Sequence, residues 1–124
     1  MCIRDSPYAG EFVWILESNR FGWRRLLGAE PGGPDVSPYA AAARAEDLSG
    51  LPPTFINTGA LDLFVDEDIA YARRLIRAGV ATELHIYPGA DHGFHFVAGA
   101  RSTLRASSDS QDALRRALGQ SASA

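Results

Sequence analysis

Two short β-favouring runs, residues 54–58 and 80–87, flank one amphipathic segment at 66–78, and that order leaves few folds open. In the middle segment Ile69, Ala72 and Ile76 recur at helical spacing with Leu75 beside them, while Arg73, Arg74 and Arg77 take the wet side. Asp66, Glu67 and Asp68 stand at its positive N-terminal end, and Gly79 supplies a stop. The first run, Thr54-Phe55-Ile56-Asn57-Thr58, ends at Gly59, and the second ends at Pro88-Gly89. Strand, helix and strand with short links predict a parallel βαβ unit, because a right-handed crossover is nearly the only way to close that order.

Two more helices are expected around this unit. Residues 11–27 read as helix, with Phe12, Ile15 and Leu16 on one face, Leu26 and Leu27 in a second apolar cluster, a break near Asn19 or Gly22, and Gly28 as the stop. Pro31-Gly32-Gly33-Pro34 forces a turn, and residues 36–47 form an alanine-rich stretch of small side chains. Residues 110–118 read as the last helix, with Ala113, Leu114 and Leu118 on one side.

Size and charge narrow the function classes. A chain of 124 residues holds one core of normal size. The net charge of -3 gives no basic surface for nucleic acid or anionic lipid, and no apolar stretch approaches a membrane span, so stable membrane insertion is not expected. The single cysteine, Cys2, makes no internal disulfide. Residues 1–6, Met-Cys-Ile-Arg-Asp-Ser, lack the features of a signal peptide and read as a translated sequencing adapter. On that reading residues 7–119 are the C-terminal portion of one domain whose frame continues upstream, and residues 120–124 are a frayed tail. A cytoplasmic location is the expectation that follows.

Chemistry concentrates at two points. Asp62 follows the first strand in Gly59-Ala60-Leu61-Asp62, and His92 follows the second in Tyr87-Pro88-Gly89-Ala90-Asp91-His92-Gly93-Phe94. A right-handed crossover brings both strand ends to one edge of the sheet, where open α/β folds bind ligands. Carboxylate before imidazole is also the second half of a Ser…Asp…His triad in α/β-hydrolase order. Taken singly, Asp62 suits a turn and His92 a packed loop; their spacing favours the pair. His95, three residues on from His92, and Asp91 hint at a metal, but no third firm ligand stands at supporting spacing, and no metal or cofactor is expected. His85 reads as a packed or surface side chain within its strand.

At these residues the chain resembles the C-terminal part of the hormone-sensitive-lipase-like group of α/β-hydrolases. Ser37-Pro38, Asp47-Leu48-Ser49-Gly50-Leu51-Pro52-Pro53, Thr58-Gly59-Ala60-Leu61-Asp62 with Asp66-Glu67, Tyr71-Ala72-Arg73-Arg74-Leu75, Ala78-Gly79-Val80 and His92-Gly93-Phe94 occur in that group's order. The stretch 47–53 favours it over dipeptidyl-peptidase-like or acetyl-xylan-esterase-like relatives. The resemblance implies an α/β-hydrolase fold, two parallel strands with flanking helices plus a lid-region helical segment. It also implies a serine carboxylesterase acting on small ester substrates, with Asp62 and His92 as its catalytic pair. It places Trp14, Phe21 and Trp23 near a lid, where they would wall a substrate pocket, although aromatic residues at this spacing are also ordinary core.

Two departures stand out. Leu63-Phe64 follows Asp62 where the group usually carries proline, and no Gly-x-Ser-x-Gly turn or His-Gly-Gly loop occurs in the 124 residues. Alone, the chain is expected not to hydrolyse esters, and the unpaired edge of so small a sheet is expected to make it marginal or to drive homo-oligomers. The alternative from another class is a non-catalytic α/β binding module or a degenerate hydrolase remnant.

Overall fold

β-Branched and aromatic residues ended by glycine make Thr54–Gly59 the first strand, β1, in a computed structural model that describes residues 7–119. The expectations for residues 1–6, Cys2 included, and for 120–124 lie outside the described residues. Around β1, the described elements run α1 (Leu16–Leu27), a 3₁₀ turn (Ala42–Arg44), β1, α2 (Val65–Arg77), β2 (Thr82–Tyr87), a second 3₁₀ turn (Phe94–Phe96) and α3 (Arg101–Ala117). The strands pair in parallel from Thr54 opposite Thr82 to Gly59 opposite Tyr87. This is the predicted βαβ unit. No described helix is long and apolar enough to cross a membrane.

Strand alternation gives the sheet two faces. On one, fully buried Leu75 of α2 packs with Leu48 and Val80, backed by Ile56 and Tyr71. On the other, Ala106 of α3 joins Tyr87, Ala90 and Phe94. Polar groups pin α3 there as well. Asp109 Oδ2 accepts from the Tyr87 hydroxyl at 2.9 Å and from Arg105 Nε at 3.3 Å, with His85 Nδ1 at 3.2 Å, and Asn57 Nδ2 donates to Ser110 Oγ at 2.9 Å. The Tyr87 bond, against the cost of burial and aided by Arg105 and His85, holds the Asp109 carboxyl below the usual carboxylate range. Burial and that same carboxylate push the Tyr87 hydroxyl upward, so it remains a donor.

A depressed carboxyl stabilises the fold above its unfolded pKa, near about 4, and that contribution is lost as pH falls through the folded value. Asp109→Asn is therefore expected to lower the melting temperature at pH 7, with the gap to the parent closing below about pH 4. Melts of both proteins across pH 2–8 check this, and a gap unchanged at pH 2 would assign the effect to packing instead of charge.

Several expectations are corrected. Helix α1 begins at Leu16, not residue 11, and has no break at Asn19 or Gly22. Val13 has φ 59°, and the Trp14 amide donates to the Phe12 carbonyl at 2.6 Å across a three-residue turn; that backbone cannot belong to a helix. Phe12, expected on a buried face, is accordingly exposed. Helix α3 begins at Arg101 and not residue 110, because tertiary contacts outweigh its poor helix formers: Thr103 Oγ1 donates to the Phe94 carbonyl at 2.8 Å and Ala106 is buried. In α2 the buried stripe is Val65, Ala72 and Leu75, while Ile69 and Ile76 are exposed. Arg74, placed on the wet side, instead donates to the carbonyls of Ala43 and Ala45 and ties α2 to the first 3₁₀ turn.

Candidate active site

Each of the two site loops is held by backbone geometry before any side chain enters. After β1, the Asp62 amide donates to the Gly59 carbonyl at 3.1 Å and the Val65 amide to the Asp62 carbonyl at 3.2 Å. Asp62 Oδ1 accepts from the Phe64 amide at 3.0 Å, an Asx turn that fixes the carboxylate at the mouth of α2. After β2, the Leu61 amide donates to the Ala90 carbonyl at 2.9 Å, which stitches the two loops together. Gly59 permits this approach, since a Cβ there would collide with the Ala90 carbonyl. Gly93, at φ 80°, turns the chain immediately after His92.

The side chains meet as the crossover predicts. His92 Nδ1 lies 3.1 Å from Asp62 Oδ2 and 3.3 Å from Oδ1. The carboxylate is buried, whereas about a third of the His92 side chain (36%) remains exposed. Among the described residues Nε2 makes no hydrogen bond. A carboxylate at Nδ1 selects the Nδ1–H tautomer and leaves the Nε2 lone pair to accept a proton. Asp62 thus satisfies both readings of its position at once: Oδ1 closes a turn and Oδ2 orients an imidazole.

Aromatic rings hold the imidazole from two sides. Trp14 lies 5.8 Å from it between centroids at 31°, and Phe64 lies 5.6 Å away, edge-on at 63°. A cleft of about 340 Å³ opens there, lined by Trp14, Asn19, Gly22, Trp23 and Leu26 with Phe64 and His92. Of the three aromatics singled out in the sequence, Trp14 and Trp23 line this cleft. Phe21 does not: it is exposed, with the Arg25 guanidinium 5.3 Å over its ring. Phe64 and Asn19 were not singled out. Phe64 lies two positions after Asp62, next to Leu63, which stands where the group usually carries proline, and Asn19 is a polar residue four positions from both Ile15 and Trp23 on the inward stripe of α1, a legible signal.

The surrounding charged groups take other parts. Asp68, in the first turn of α2, is pushed above the usual carboxylate range by burial, partly offset by the Thr58 hydroxyl and reinforced by the charges of Asp62 and Glu67. His95 is exposed and stacks between Phe94 and Phe96. His85 lies on the α3 face with Nε2 2.7 Å from Glu83 Oε1. Among the described residues no group of three or more His, Cys, Asp or Glu side chains could hold a metal.

Known proteins share this arrangement of chain. The alpha/beta hydrolase fold family matches residues 3–96. The carboxylesterase NlhH of Mycobacterium tuberculosis is 39% identical over 82 residues, 65% of this chain and 26% of that protein. Among solved structures, esterase LipW from Mycobacterium marinum superposes with a TM-score of 0.78 at 36% identity, covering 93% of this chain and 37% of its own. A bacterial heroin esterase superposes with a TM-score of 0.68 at 50% identity, covering 71% and 28%. The chain spans about a quarter of the length of NlhH.

Proposed function

The chain belongs to the hormone-sensitive-lipase-like group of alpha/beta hydrolases, and from that membership we propose that it carries the acid and base of a carboxylesterase triad. His92 is the general base and acid, and Asp62 is its orienting carboxylate. The observation that carries the reading is the 3.1 Å contact of His92 Nδ1 with Asp62 at the C-terminal ends of two parallel strands, facing an aromatic cleft. The esterase relatives support it.

In this reading the nucleophilic serine and the oxyanion donors come from sequence outside these 124 residues, so the chain by itself leaves esters intact. With the serine in place, His92 Nε2 takes the hydroxyl proton as the oxygen attacks the ester carbonyl. Asp62 stabilises the imidazolium that forms. The ring then hands the proton to the departing alkoxide, and the bond between acyl carbon and alcohol oxygen breaks to leave an acyl-enzyme. Water enters by the same route in reverse: His92 removes its proton as the water oxygen bonds to the acyl carbon, the acyl–serine bond breaks to release the carboxylic acid, and His92 returns the proton to the serine oxygen. A cleft of about 340 Å³ is at the small end of ligand sites and suits a small-molecule ester.

The complete protein mixed with p-nitrophenyl butyrate is expected to release one equivalent of p-nitrophenolate in a burst and to gain the mass of one butyryl group. Absence of both burst and adduct, with no turnover, overturns the esterase reading and leaves a binding module.

A further inference from the structure

Residues 9–14 cross from one site loop to the other. Ala9 is buried, and the Gly10 amide donates to the Leu61 carbonyl at 2.9 Å, immediately before Asp62. Gly10 has φ 72°, and a Cβ there would stand 2.5 Å from Leu63 Cδ1, so glycine lets the chain lie this close to the Asp62 loop. Further along, Val13 Cγ1 reaches the His92 loop, 3.8 Å from where a Cβ on Gly93 would stand. Trp14 follows with its ring 5.8 Å from the imidazole, and Gly22 of α1 borders the same indole. Val13 is the strained member of this strap. Its φ of 59° is an outlier for a β-branched residue, and the Trp14 amide closes the three-residue turn on the Phe12 carbonyl at 2.6 Å. Burial does not account for that backbone, since Val13 is 72% exposed, and the N-cap of α1 is Ile15, in extended conformation. Strained residues persist where the surrounding structure over-determines them, and they gather at active sites.

We infer that Val13 is a positioning residue for the base: its left-handed turn sets the Trp14 indole against His92, and the indole holds the imidazole in the orientation that keeps Nδ1 on Asp62. The inference rests on the esterase reading above and gives Trp14 a second part beside lining the cleft. Hydrogen-bonded to Asp62 through Nδ1 alone, the imidazole could rock about that contact and carry Nε2 with it. Trp14 and Phe64 restrict the rocking, because each has its ring within 6 Å of the imidazole centroid, at 5.8 and 5.6 Å. The two rings are placed differently. Phe64 is tied to the carboxylate itself, since its amide donates to Asp62 Oδ1. Trp14 comes from a distant part of the sequence, and what brings it in is the Gly10 anchor on the Asp62 loop followed by the turn at Val13. Holding a catalytic group within a fraction of an ångström is worth a large factor in rate, which sets a use against the strain at Val13.

The test uses the complete protein. The acylation burst from saturating p-nitrophenyl butyrate is followed by stopped flow, with the His92 ring resonances recorded in parallel. Val13→Pro, with φ locked at roughly −65°, cannot form the turn. It is expected to slow the burst on the order of 10²-fold, the scale of an ångström's misplacement at a reacting centre, and to move the His92 resonances. Val13→Asn, a residue that tolerates the left-handed region, should restore both. Trp14→Leu should slow the burst as well, and adding Val13→Pro to it should cost nothing more, because the turn acts only through the indole. Should Val13→Pro lack a cooperative melt, Val13→Gly, which loosens the turn, takes its place in the same cycle with the same directions expected. Losses that multiply in the double variant overturn the inference. So does an asparagine variant as slow as the proline one, or a parental burst rate in Trp14→Leu or in the variant that disrupts the turn. A parent that gives a burst while the cycle fails leaves the esterase reading standing, whereas a parent with no burst ends that reading and the inference with it.

Discussion

His92→Ala in the complete protein is expected to lower kcat for p-nitrophenyl butyrate by about 10⁶-fold, the scale on which a triad loses function when its base is removed. On the proposed mechanism the base acts in both half-reactions, taking the serine proton in acylation and the water proton in deacylation, so no step is spared. The effect should fall on chemistry and not on folding. His92 sits in a turn that is held by the Leu61–Ala90 backbone bond and by the φ of Gly93, neither of which uses its side chain. A melting temperature close to the parent's, with the acyl burst gone, is the expected pair of results. Hydrolysis within tenfold of the parent would remove His92 from the mechanism.

A second large effect separates the two jobs of Asp62. Asp62→Asn keeps an oxygen for the Phe64 amide but puts an N–H₂ where Oδ2 faces His92 Nδ1. Two donors cannot share that contact, so the imidazole turns to the tautomer whose Nε2 carries the proton, which is useless as a base. The expected loss in kcat is about 10⁴-fold, with the Asx turn intact. Asp62→Ala loses both contacts, and the missing turn bond, worth about 1 kcal/mol, should lower the melting temperature of the complete protein by roughly 2 °C more than the asparagine variant. Equal melts in the two variants would mean that the Asx turn contributes nothing. An asparagine variant with near-parental kcat would make the carboxylate a turn residue alone.

Much of this was legible in the residues. β1, α2 and β2 fall within two residues of the expected bounds because each is specified by a local period and a local stop: alternation ended by Gly59, a helical stripe ended at Gly79, and Pro88 after the second run. The approach of Asp62 to His92 follows from the handedness of the crossover between those strands, so a separation of thirty positions was no obstacle. The misreadings arise where local pattern and tertiary contact disagree. Leu16 as the start of α1 depends on the φ of Val13, which β-branched residues rarely adopt. The first turns of α3 are rich in Ser and Thr and hold through Phe94 and Ala106. Arg74 looked solvated because its acceptors, the carbonyls of Ala43 and Ala45, lie in a different segment.

The sequence by itself determined the βαβ order and set a carboxylate and an imidazole just past the ends of its two strands. Only the tertiary structure decided which side chains close around them. His92 has the carboxylate and His95 the surface; Trp14 and Trp23 face the cleft while Phe21 carries Arg25 outside it; Asn19 turns inward onto the same cleft. The reason is range. Strand and helix periods and glycine stops are written within a few consecutive residues, whereas the cleft joins Trp14, Asn19 and Trp23 to Phe64 and His92, tens of positions away along the chain.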